Sequence, residues 1–174
     1  MNLSYKKVQE RDLDVSVIYI ADKETDFSQY SFTTTELEYI KNQISDDKKR
    51  IDINSYFKWS YIRIIPEYKE LPEGKEKMRK EAFNLFPDLK ENKHREIIVV
   101  DASDNPELVY AFLEGIGLSL YQFKKYKHKN NNDKILLDEL QVLSNGISDE
   151  KLTQLEILCK AVFYARDMVN EPLN

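Results

Sequence analysis

The sequence predicts an α/β protein, a layered sheet flanked by helices, and three observations carry that prediction. Short β-branched runs alternate along the chain with segments whose apolar residues recur at helical spacing. One run, Ile97-Ile98-Val99-Val100, is apolar without interruption, as expected of a strand covered on both faces. Hydrophobic residues make up 41% of the 174 and charged residues 33%, enough for a packed core under a charged surface.

The first strand is expected at residues 15–21, rich in Val and Ile. Thr35 with Glu38 fits a capping box, and Leu37, Ile40 and Ile44 then fall at helical spacing. Residues 46–50 read as a charged turn. The Tyr-, Trp-, Phe- and Ile-rich residues 56–65 read as a strand, closed by Pro66, which lacks the ladder donor. Pro72 suits the first turn of a helix with Met78, Ala82 and Leu85 on its apolar side, and Pro87 is expected to close it. Residues 96–101 are the clearest strand. Asn105-Pro106 then reads as an N-cap with proline at the first helical position, opening a stripe of Leu108, Val109, Phe112, Leu113, Ile116, Leu120 and Phe123. Residues 127–133 are a polar loop and 134–142 a further strand, followed by an Asn145-Gly146 turn. Ser148 caps the last helix, whose single stripe is expected to comprise Leu152, Leu155, Leu158, Val162, Ala165 and Val169, with Asn170 and Pro172 ending it. The count is about four strands and four helices.

Composition narrows function mostly by exclusion. A net charge of −5 argues against a dedicated nucleic-acid binder. The single cysteine, Cys159, cannot form an internal disulfide, which fits a reducing compartment, and cytoplasm is the expected location. No apolar run is long enough to span a membrane, and residues 1–8 do not read as a secretory signal. The four glycines form neither a Walker loop nor a dinucleotide fingerprint.

Four features could carry chemistry, and each has a plainer reading that outweighs it. Asp101, Ser103 and Asp104 follow the core strand, where α/β folds place ligands, but turn and cap chemistry before Pro106 explains them too. His94 and His128 lack metal-ligand spacing and read as solvated loop residues. Cys159 lies beside an apolar stripe without an assignable base and reads as a buried, inert thiol. Residues 123–129 are basic and aromatic, and suit the solvated end of a helix better than a phosphate backbone. No catalytic, cofactor-binding or metal-binding residue is assigned.

Two segments add a resemblance. Residues 114–127, EGIGLSLYQFKKYK, match the form E-G-x-x-L-x-x-Y-x-F-x-x-Y-K, and residues 165–174, ARDMVNEPLN, match A-R-D-L-V-N-x-P-x-N with Met168 in place of Leu. In that order and separation they resemble the leucine aminopeptidase family, also called cytosol aminopeptidases, over roughly residues 61–174. The resemblance implies a macro-domain-like N-terminal domain over residues 1–147, a connecting helix over 148–169 and the first edge of a catalytic domain at 170–174. It implies a parent that removes N-terminal amino acids from peptides with two divalent ions, zinc or manganese, in a cytoplasmic homo-hexamer. The family's metal-ligand segments, similar to G-K-G-x-T-F-D-S-G-G and N-T-D-A-E-G-R, do not occur here, so no ligand is carried over and the chain alone is expected to be inactive. A macro-like nucleotide- or DNA-binding module is the alternative.

Overall fold

In the computed structural model, residues 3–123 and 137–171 are described. The strands are β1 (Ser4–Lys7), β2 (Val17–Ala21), β3 (Arg50–Ser55), β4 (Lys58–Ile64), β5 (Glu96–Asp101) and β6 (Glu139–Leu143). The helices are α1 (Thr34–Ser45), α2 (Leu71–Glu91), α3 (Pro106–Ser119) and α4 (Asp149–Asn170), with a 3-10 turn at Phe27–Gln29. The strands form one sheet in the order β1-β6-β5-β2-β4-β3. Every neighbouring pair is parallel except β3–β4, which is antiparallel.

Because side chains alternate across a strand, the sheet sorts its apolar residues into two cores. Ile18 and Ile20 of β2, Ile97 and Val99 of β5, and Leu140 and Val142 of β6 face α2, α3 and α4. Val17 and Tyr19 of β2, Ile62 and Ile64 of β4, and Ile98 and Val100 of β5 face Phe27 and Ile40 of α1. This two-sided burial explains why the central strands read so clearly in the sequence.

Several boundaries differ from the sequence-based expectation. The first helix is capped by Thr33, with Glu36 completing the capping box, two residues before the expected pair. Pro87 lies inside α2, which continues to Glu91. Proline removes one helical donor, but Pro87 and Phe83, four residues back, are both exposed, while buried Leu85 and Leu89 hold the helix to the core. Tyr56 and Phe57 are the loop of the β3–β4 hairpin, not strand: Ser55 pairs with Lys58, and Tyr56 has φ of 62°. Phe123 lies beyond α3, which ends at Ser119, so it is not part of that helix's buried stripe. Residues 127–133 and the start of the expected strand at 134 lie outside the described residues.

The last helix departs most. Leu152, Leu155 and Cys159 are buried, but Leu158 is 40% exposed and Val169 84%, and Ala165 is exposed as well. Each three-residue step along a helix falls about 60° short of a full turn, so a stripe built from such steps rotates off the core.

Candidate functional site

The connection after β2 leads to β3 and β4 on one side of it, while β5 and β6 lie on the other. The carboxyl ends of β2 and β5 therefore flank a topological switch point, the usual place for a ligand in an α/β sheet. Asp101, Ser103 and Asp104 are here, and Asp101 accepts three hydrogen bonds. Its Oδ1 accepts from the Ser103 hydroxyl at 3.1 Å and the Asn105 amide at 3.2 Å, and its Oδ2 from the Ser144 hydroxyl at 2.9 Å. Asp101 thereby ties the end of β5 to the N-terminus of α3 and the end of β6. Across the switch point the Thr25 hydroxyl accepts from the Asp22 amide and donates to the Ala102 carbonyl. Burial, and next the charge of Asp101, push the Asp22 carboxyl above its ordinary range. Asp104 has φ of 52°, a turn residue before the Asn105 cap.

His94 is half-buried rather than solvated. Its Nε2 lies 2.9 Å from the Tyr61 hydroxyl, which also accepts from Asn92 at 3.1 Å, and burial holds the imidazole below its ordinary value of 6.5. A short loop after α2 reads as exposed, but here it folds back against β4. A depressed folded-state value means the unfolded chain binds the proton first, so the stability tied to neutral His94 is present above about pH 6.5 and lost as pH falls through the folded value. Thermal melts of wild type and His94→Gln between pH 7.5 and 5.5 should diverge, the wild type losing more on acidification; parallel curves would contradict this. His128 lies outside the described residues.

Cys159 is buried at 6% exposure, its Sγ 3.8 Å from the Tyr5 hydroxyl, and burial raises the thiol above its ordinary value. That is the environment of a packing cysteine and the opposite of an activated one. Among the described residues no group of three or more His, Cys, Asp or Glu side chains is placed to hold a metal ion.

The two motif segments meet each other, which spacing alone does not reveal. Tyr121 donates its hydroxyl proton to Asp167 Oδ1 at 2.9 Å and accepts from Asn170 at 3.0 Å. The Arg166 guanidinium lies 5.3 Å from the Tyr121 ring centre, and Phe163 packs at 5.5 Å. Upstream, Glu114 accepts from Arg79 Nε of α2 at 2.8 Å, and Gly115 lets α3 pass the backbone of Arg79. Tyr126 and Lys127 lie outside the described residues. The motif residues thus clamp α4 onto α3, and α3 onto α2.

That clamp uses one face of α4, carrying Phe163, Arg166, Asp167 and Asn170. A neighbouring face carries Ile157, Tyr164 and Met168, exposed by 61%, 68% and 61%, with Leu158 beside them. Part of the apolar surface of α4 is thus left uncovered by the described residues.

No family model matches the chain. A probable cytosol aminopeptidase of Aquifex aeolicus (strain VF5) is 31% identical over 117 residues, covering 66% of this chain and 23% of that protein. A probable cytosol aminopeptidase of Sulfurihydrogenibium sp. (strain YO3AOP1) is 31% identical over 125 residues, covering 67% of this chain and 25% of that protein. Among solved structures, a mutant of tomato leucine aminopeptidase matches 98% of this chain and 39% of its own, with a TM-score of 0.70 at 15% identity. A Caenorhabditis elegans leucine aminopeptidase matches 99% of this chain and 37% of its own, with a TM-score of 0.60 at 14% identity. The structural matches establish a shared fold, and the chain spans about a quarter of the length of these two curated relatives.

Proposed function

We propose, from the premise that this chain belongs to the leucine aminopeptidase family as an N-terminal domain, that it is a non-catalytic scaffold whose last helix docks the peptidase domain of a longer polypeptide. The observation that carries this reading is α4: one face is clamped to its own domain by Tyr121, and a neighbouring one leaves Ile157, Tyr164 and Met168 in solvent. Covering such a face contributes roughly 25 cal/mol per Å2 of apolar area. On this reading residues 1–147 are the scaffold, 148–169 join it to the peptidase domain and 170–174 begin that domain. The two divalent ions, zinc or manganese, belong to the peptidase domain, and so does the removal of N-terminal amino acids from peptides. The parent assembles as a homo-hexamer in the cytoplasm. Among the described residues no helix is long and apolar enough to cross a membrane.

The glycines do not favour the nucleotide- or DNA-binding alternative, since none forms a phosphate-cradling loop. All four glycines are packed against protein: Gly74 on Tyr68, Gly115 on α2, Gly117 on Tyr5 and Cys159, and Gly146 on Pro106.

The test compares residues 1–174 alone with a polypeptide continued into a peptidase domain, both assayed on a leucine anilide with zinc or manganese. The chain alone should give no metal-dependent turnover. Combining Ile157→Ser, Tyr164→Ser and Met168→Ser should leave melting of the chain alone nearly unchanged, because these side chains are exposed, but lower assembly and activity of the longer protein at least about tenfold. Turnover by the chain alone that disappears with Asp101→Ala, or a longer protein indifferent to the triple substitution, would overturn the proposal.

A further inference from the structure

We propose that the cleft between α1 and the connection leaving β2 binds a small amphipathic carboxylate, its apolar body on Phe27, Leu37, Ile40 and Ile44 and its carboxylate on Lys41. The inference does not depend on the scaffold reading, since it rests on the other face of the sheet.

The cleft has a volume of about 390 Å3 and opens where the chain leaves the carboxyl end of β2, beside the switch point. Size and position suit a small-molecule site, as does an apolar floor of Phe27, Leu37, Ile40 and Ile44 with a polar rim around it. Leu37, Lys41 and Ile44 recur at four- and three-residue steps, so α1 presents them on one face.

The polar groups at the rim select the ligand, because most are already occupied. The Lys23 ammonium pairs with Asp47 at 2.8 Å. Asp26 accepts from the Ser28 amide at 2.9 Å, and these bonds hold its carboxyl below the usual range. Thr25 serves the Asp22 amide and the Ala102 carbonyl, and Ser45 donates to the Lys41 carbonyl at 2.9 Å. Among the described residues lining the cleft, Lys41 on α1 is the cation without a carboxylate partner, and Asp26, on the connection side, is the carboxylate without a cation. On the α1 side, away from the connection that carries Asp26, the free Lys41 cation beside an apolar floor asks for one negative charge on an apolar body. A nucleotide is a poor match: its phosphates need more positive charge or a glycine-lined backbone, and the cleft has neither. A carboxylate on one branched chain or one ring satisfies both halves.

The experiment is an amide-resolved NMR titration of the whole chain with 4-methylpentanoate and, separately, with 4-methylpentan-1-ol. The expected result is saturable shifts confined to residues 25–28 and 37–45. Lys41→Gln should weaken the carboxylate about tenfold, as for loss of a charge-assisted bond, and leave the alcohol unchanged. Ile44→Trp, which fills the cleft, should abolish both. Lys41 is exposed, so its variant keeps the wild-type spectrum. Absence of saturation by about 10 mM, shifts centred elsewhere, or equal affinity for Lys41→Gln and wild type each overturn the proposal.

Discussion

Replacing Gly115 by alanine should destabilise the chain by about 2–3 kcal/mol, although alanine is the better helix former by about 1 kcal/mol. A Cβ at Gly115 would lie 2.7 Å from the Arg79 carbonyl oxygen, 2.9 Å from Arg79 Cα and 2.7 Å from Ala82 Cβ. Two of these three atoms are backbone of α2, so relief requires the α2–α3 pair to separate, and with it the core that Met78, Ala82, Phe112 and Ile116 form. Valine at the same position should cost more. For a domain of this size the alanine change corresponds to a fall in Tm of roughly 4–12 °C. Gly74→Ala is the control: there the three atoms nearest the added carbon all belong to the Tyr68 ring, a side chain that is 37% exposed and can swing away. Gly115→Ala melting with wild type, or Gly74→Ala losing as much, would show that the crossing is not as close as it stands.

The second large effect is asymmetric. Arg63 is buried to 2% exposure, its guanidinium bound to Asp52 at 2.5 Å and to the Ile62 carbonyl, with Nε lacking a partner among the described residues. Asp52 sits at the rim, its side chain 36% exposed. Asp52→Ala should therefore cost about 3 kcal/mol, since it strands a charge that water cannot reach. Arg63→Met should cost within about 1 kcal/mol, because the remaining carboxylate is hydrated and methionine still covers Tyr61. Adding Arg63→Met to Asp52→Ala should then restore stability, a coupling that urea melts of the double-mutant cycle measure directly. Equal losses from both single substitutions would refute the argument.

These two sites also mark how far the sequence reached into the fold. Gly115 was visible as part of a motif, but its reason, contact with a backbone 36 positions earlier, exists only after α2 and α3 cross. Asp52 and Arg63 read as ordinary charged residues. They become an ion pair with one buried member because β3 turns back on β4 through Tyr56 and Phe57, a turn made of residue types that favour strands. β1 was missed because Ser4-Tyr5-Lys6-Lys7 has no apolar alternation, and its pairing with β6 at the sheet edge supplies its order.

The candidate sites divide in the same way. Asp101 was legible from its place after the strongest strand, and the plainer reading of it as cap and turn chemistry matches two of its hydrogen bonds, from Ser103 and Asn105, but not the third, from Ser144 at the end of β6. His94 was misjudged, since nothing local signals that Tyr61 will meet it. The cleft at Lys41 was not visible at all, because its floor comes from residues that periodicity assigns to core.

What the sequence determined by itself was local or repetitive: the α/β class, the buried run of β5, the Asn105 and Ser148 caps, and the two motifs that carry the family likeness. Such features depend on neighbours within a few positions, where spacing and side-chain chemistry suffice. Only the tertiary structure decided that the two motifs clamp one another through Tyr121 and Asp167, 46 positions apart. It also decided that α4 keeps an apolar face uncovered, because helical phase relative to the sheet is set by which partners the chain brings to each side.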